Sequence, residues 1–343
     1  MTKVDLAELS NTAITVAGVI YFVALLAHLV EWSRLRSLVG SPVAAGAGGA
    51  AEGDVLVHTG GPGGADAAEV APDGADADAA DQVAFWARLG VVLTVFAAII
   101  HTVGVVTRGL AADPVRVPWG NMYEFTITAA LVSVLMYLGL HRRLRLDWLG
   151  PVMVGFTWVV LLLAVRVLYI PIAPLMPSLQ SPWLVIHVLA AILATGAFTV
   201  AAMASVLYLV KERAERRDRL RPGGYLERLP SLPGLDRVAY RVTAFAFPVW
   251  TFGVLIAGPI WAENAWGRYW GWDPKEVWAF ITWVVYAAYL HARATRGWKG
   301  RQAAYVALVG VATLWFNFIG INYFFGDASM HSYALGEVVL RLG

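Results

Sequence analysis

The residues best suited to chemistry are concentrated in one short stretch. Residues 261–278 read WAENAWGRYWGWDPKEVW, and five of the chain's 15 tryptophans lie within them: Trp261, Trp266, Trp270, Trp272 and Trp278. One or two Trp at a helix end make an interfacial belt at a membrane edge. Five in 18 residues, with Tyr269 among them, suit a platform for a flat conjugated ligand, because aromatic faces stack on π-systems. Gly267 and Gly271 would let the backbone approach that ligand closely. Asp273, Pro274 and Glu276 stand at the N-cap, N1 and N3 positions of a helix start. Capping alone accounts for these two carboxylates as well as a binding role does. The same double reading applies to Asn121 and Glu124 in NMYEF.

The chain holds only seven histidines. Neutral imidazole is a common axial ligand of haem iron. His187 precedes the tryptophan stretch and His331 follows it. If both stand on its side of a membrane, they would make a bis-imidazole haem site across a Trp-lined surface. His291 and His28 form a weaker pair at the opposite depth. His28 reads more readily as a polar side chain that packs helices together. His101 falls in the outer half of a span, His141 in an inside loop and His58 in an inserted segment. There is no cysteine, which excludes disulfides, zinc–thiolate sites, iron–sulfur clusters and thiol redox chemistry within this chain.

The elements that must position these residues are membrane spans. The chain has 343 residues, 59% of them hydrophobic and 15% charged, with a mean hydropathy of +0.62. A soluble domain carries about 25% charged residues. Eight apolar runs are long enough to cross about 30 Å of hydrocarbon. They lie at 11–32, 84–107, 122–140, 148–168, 184–210, 242–260, 276–292 and 303–325. The expected fold is therefore all-α: a polytopic membrane helical bundle of about eight transmembrane helices.

With the N-terminus outside, the inside loops carry 18 Lys and Arg and the outside segments 6. That bias places both termini, His187, His331 and the tryptophan stretch outside, and His28 and His291 at the inner ends of their spans. Residues 1–39 hold the first span, read as an uncleaved anchor. Residues 40–83, rich in Ala, Gly, Asp and Pro, read as a disordered cytoplasmic insertion. The membrane domain proper is 84–343. The basic run 211–241 reads as a positive-inside anchor on the lipid bilayer. A net charge of +2 gives no nucleic-acid footprint.

At this point the motifs resemble a known family. WGRYWGWDPKEVW (266–278), supported by NMYEF, SPWLVIHV (181–188), YLHARATRGWKG (289–300) and MHSY (330–333), is similar to the CcsA/ResC proteins of System II cytochrome c biogenesis, within the haem-handling proteins that share a tryptophan-rich WWD domain. The likeness covers about 84–335. It implies haem b as cofactor, held by His187 and His331 on iron at an extracytoplasmic site of the plasma membrane, with the WWD residues, Asp273 included, around the porphyrin. It implies an inner site with His291 on iron, whose partner is either His28 or a residue of a ResB-like membrane subunit. It also implies an apocytochrome c with a CxxCH motif, a thiol-reducing protein, and membership of a cytochrome c synthase (haem lyase) complex. Two other readings fit parts of the pattern: a b-type cytochrome working with quinone, and a permease without cofactor. Arg268 and Lys275 stand on the side where haem propionates would need partners, though each reads more readily as an exposed loop charge.

Overall fold

The computed structural model describes residues 1–39, 74–144, 146–174, 179–221, 224–325 and 328–331. The regular structure is helical throughout these residues: α1 (Lys3–Val39), α2 (Gly74–Ala111), α3 (Met122–Leu144), α4 (Gly150–Leu163), α5 (Pro182–Arg216), the short α6 (Tyr225–Arg228), α7 (Leu232–Phe252), α8 (Gly258–Trp266), α9 (Pro274–Thr295), α10 (Arg301–Trp315) and the short α11 (Ile321–Phe324). Most of the segment expected as an insertion, 40–73 with His58, lies outside the described residues. Its last part, 74–83, is helical instead: α2 begins at Gly74 and carries Asp78 and Asp81 in its first turns. The acidic, alanine-rich composition there continues the helix that the apolar run begins.

Among the described residues, seven stretches are long and apolar enough to cross a membrane by themselves. They coincide with seven of the eight predicted runs. The eighth, 276–292, forms the body of α9. With 22 residues α9 is about 33 Å long, enough to cross. Trp278, Trp283, Tyr286, Tyr289 and His291 dilute its apolar character. The chain is thus a polytopic helical bundle.

α1 packs along α2 and against α4, α5 packs against α3, α7 and α10, and α9 lies against α7 and α10. Close approach depends on small residues, as is usual between membrane helices. A Cβ on Gly104 would stand 2.7 Å from Ile14 Cδ1, and Ser10 Oγ donates to the Gly104 carbonyl at 2.7 Å. Three crossings contain a π-helical turn at the tryptophan end: Ala164–Leu168 after α4, Gly253–Ala257 between α7 and α8, and Phe316–Gly320 between α10 and α11. Such turns insert one residue into the helix and leave carbonyls without their α-helical partners.

A buried ionic network fixes the same end of α2 and α3. Arg108 and Glu124 are each 1% exposed. Glu124 Oε1 accepts from Arg108 Nε at 3.1 Å, and Oε2 accepts from Arg116 Nη1 at 3.2 Å and from the Gly120 backbone N–H at 3.0 Å. The guanidinium groups also donate to the carbonyls of Ile170 and Ala173. Asn121 Oδ1 accepts the Glu124 N–H, so Asn121 caps α3 while Glu124 does more than cap. The network holds the loop 116–121 above the bundle. Replacing one member of such a network leaves buried charge without compensation, which costs about 3–5 kcal/mol. Glu124→Ala is therefore expected to lower the melting temperature in detergent markedly, whereas a change at the exposed Val92 is expected to leave it unmoved.

Candidate functional site

The site is built where α5, the α7–α8 crossing and the start of α9 meet. Gly253 opens the π turn, and its carbonyl accepts from His187 Nδ1 at 2.7 Å. A carbonyl only accepts, so Nδ1 carries the proton. Two glycines permit this approach. A Cβ on Gly253 would meet Ala190 Cβ at 2.8 Å, and one on Gly258 would meet His187 Nδ1 at 3.1 Å. Two turns further on, Trp261 stacks on the His187 ring, with centroids 5.8 Å apart and planes 10° from parallel. Trp261 also meets the His331 ring, at 5.5 Å and tilted by 58°. Trp266 contacts both, Trp261 at 4.8 Å and His331 at 4.9 Å. Trp261, only 2% exposed, thus touches both histidines.

His331 reaches the site because Asp273 holds it. Asp273 caps α9 in a complete capping box: Oδ1 accepts the Lys275 N–H at 2.8 Å, while Glu276 Oε2 accepts the Asp273 N–H at 3.1 Å and the Gly271 N–H at 2.8 Å. The same Asp273 carboxylate accepts from Ser329 Oγ at 2.9 Å, from the Met330 N–H at 2.6 Å and from His331 Nδ1 at 3.2 Å. Both readings of DPKE therefore hold together: it is a cap, and its first residue orients a histidine. Burial acts to raise the Asp273 carboxyl. The hydrogen bond and charge of His331 and the N–H groups of Lys275 and Met330 outweigh it and hold the carboxyl well below the usual carboxylate range.

The two histidines line one cavity, of about 200 Å³ to the centre of a water-sized sphere. Trp119, Asn121, Trp250, Trp261, Trp270 and Phe318 supply much of its wall. Of the other residues singled out in the sequence, Trp272 is 69% exposed and takes a left-handed backbone at φ 57°. It touches Trp270 edge-on at 5.9 Å. Trp278 turns away from the cavity and packs on Phe316 at 4.2 Å. Arg268 covers Gly271 and donates to Met330 Sδ, outside the cavity wall. Lys275 lines the cavity.

The inner pair is not brought together. His28 is 4% exposed. It is enclosed by Gly90 of α2 and Gly150 of α4, and its Nδ1 lies 3.3 Å from Glu31 Oε2. This is helix packing among α1, α2 and α4. His291 is exposed on α9, a helix that packs on α7 and α10. α1, which carries His28, packs on α2 and α4 while α9 packs on α7 and α10, so none of these contacts brings His28 to His291. His101 is fully buried against Tyr21, away from the cavity wall.

The model of a family described as cytochrome C assembly protein matches residues 119–326. The chain belongs to this family. Cytochrome c biogenesis protein CcsA of Guillardia theta is 34% identical over 260 residues, covering 70% of this chain and 83% of that relative. CcsA of a Picosynechococcus strain is 32% identical over 277 residues, covering 63% and 79%. Among solved structures, cytochrome c haem lyase CcmF aligns with a TM-score of 0.52 at 18% identity, over all of this chain and 52% of CcmF. That is a likeness of fold, and this chain spans about half of CcmF's length. As a CcsA-family protein, the chain is a multi-pass membrane protein with a role in cytochrome c biogenesis.

The family match begins at Trp119, one of the cavity residues that the sequence reading passed over. Trp250 and Asn317 are others. Trp250 sits in an apolar run where a core role is the ordinary reading. Asn317 carried a usable signal, since a lone amide inside a membrane run is costly and tends to mark a site. Its Oδ1 is buried without a partner among the described residues. In this CcsA-family site, Asp273→Asn would keep the cap and weaken the charge-assisted bonds to the 329–331 segment. Hydrogen bonds to a charged group are worth about 1.5–3 kcal/mol. The Met330 amide is thus expected to exchange its hydrogen about tenfold faster or more in that variant. Unchanged exchange would show that Asp273 does not anchor the segment.

Proposed function

We propose that this chain is the haem-handling subunit of cytochrome c maturation, receiving haem b as cargo and presenting it to apocytochrome c on the extracytoplasmic side of the plasma membrane. The observation that carries this reading is a pair of histidines on one aromatic cavity, each with Nδ1 held by an acceptor of the protein. Fixing Nδ1–H sets the tautomer and makes Nε2 the nitrogen that meets a metal, the usual second-shell arrangement of ligating histidines. A bare metal ion asks for three or four protein ligands. Among the described residues no group of three or more His, Asp or Glu gathers in that way. Two imidazoles suffice for an iron whose other positions a porphyrin fills.

The division of labour follows from the geometry. His187 and His331 would hold iron, with Asp273 and the Gly253 carbonyl fixing their rings. Trp261 would pack against both imidazoles, and the other aromatic walls would cover the macrocycle. Haem supplies its vinyl groups, and each CxxCH thiol adds across one of them, sulfur to one carbon and hydrogen to the other. That addition asks for proximity and orientation more than for an acid or base on this chain.

A thiol-reducing protein would keep the CxxCH cysteines available. His291, exposed on α9, would meet an inner haem iron whose second ligand comes from a ResB-like subunit. The excess of Lys and Arg in the inside loops supports both termini outside.

The test is to purify the chain from a haem-replete host and record reduced-minus-oxidised spectra. A bis-histidine b-type spectrum is expected. His187→Ala or His331→Ala should each cut bound haem by about tenfold or more, with added imidazole restoring it. Absence of haem from every preparation would overturn the reading in favour of a permease.

A further inference from the structure

The cavity wall carries one basic side chain that the iron-binding arrangement leaves unused. Lys275 is the only Lys or Arg among the described residues lining the cavity. It is partly buried at the second position of α9. Among the described residues its ammonium makes no hydrogen bond and lies within 4 Å of no carboxylate. A partly buried ammonium without a counter-ion is costly, so an occupant carrying negative charge would relieve it.

The neighbouring acids are committed elsewhere. Asp273 is occupied by Ser329, His331 and the N–H groups of Lys275 and Met330. Glu276 also lines the cavity, but it adjoins Lys275 in sequence and so points about 100° away around the helix. Its Oε2 is taken by the N–H groups of Gly271 and Asp273. A second donor stands on the same wall: Trp270 Nε1 is buried with no acceptor among the described residues.

We infer that Lys275 is a ligand-binding residue, its ammonium pairing with a carboxylate of the cavity's occupant, and that Trp270 Nε1–H donates to the same carboxylate. Resting on the haem reading above, the carboxylate is a porphyrin propionate. The cavity thus grips its cargo at two chemically different places, iron through the histidines and propionate through Lys275. This pairing sets the rotation of the macrocycle about the iron axis, and hence which edge faces outward.

The test uses the full chain in detergent, titrated with haem b and with its dimethyl ester, whose propionates carry no charge. Wild type is expected to bind the diester about tenfold more weakly than haem. Lys275→Met should lose about tenfold in haem affinity and discriminate no longer between the two. Lys275→Arg should regain part of both. The bis-histidine spectrum of the bound fraction should be the same in all three proteins, because the iron ligands are untouched. Equal affinity of wild type for haem and diester overturns the inference while leaving the haem reading standing. So does full discrimination by Lys275→Met. Binding of neither porphyrin by wild type overturns both. If Lys275→Met does not fold, the wild-type comparison of haem with its diester decides alone.

Discussion

The architecture of the site depends on the carboxylate of Asp273. Two separate demands meet there. The start of α9 has N–H groups without intrahelical acceptors, and the segment 329–331 has no helix or sheet of its own to fix it. One buried carboxylate satisfies the first and anchors the second through Ser329, Met330 and His331. A side chain 58 residues distant in sequence is thereby carried to the wall of the cavity. An apolar contact could press the segment down, but it would not fix which ring nitrogen faces the protein. A carboxylate does both, because it only accepts.

A second constraint is that polar groups at membrane depth must find partners inside the protein. The bundle meets it in two ways. Arg108, Glu124 and Arg116 form a network whose hydrogen bonds run among themselves and to loop carbonyls and the Gly120 N–H. The π turn at Gly253–Ala257 offers a carbonyl to His187. In both cases the polar contact also shapes the cavity, since Gly120 and the 253–258 region belong to its wall.

The spans were legible because apolar length and charge sidedness are properties of composition, which local sequence carries. The eight runs match helices, and α9 fell short in apolar character only through its rings and His291. The placement of His187, His331 and part of the tryptophan stretch about one cavity was legible from the resemblance. What remained hidden depends on contacts between distant residues. Nothing local to His28 says that Gly90 and Gly150 enclose it. Nothing local to Trp278 says that it turns to Phe316. Nothing local to Trp250 says that it faces a cavity rather than lipid. Asp273 was read as a cap or a binding residue because its second partner lies far along the chain.

The π turns give the site an unusual sensitivity to chain length. Each is, in effect, a one-residue insertion in a helix that otherwise repeats every 3.6 residues. Removing one residue from 253–257 would restore an ordinary helix and swing everything downstream by about 100°. Trp261 would then leave its contacts with His187 and His331, with hardly any change in apolarity. The same holds for Phe316–Gly320, which sets the direction of Asn317 and Phe318. In this protein the count of residues within a helix is therefore as much a part of the site as their identity.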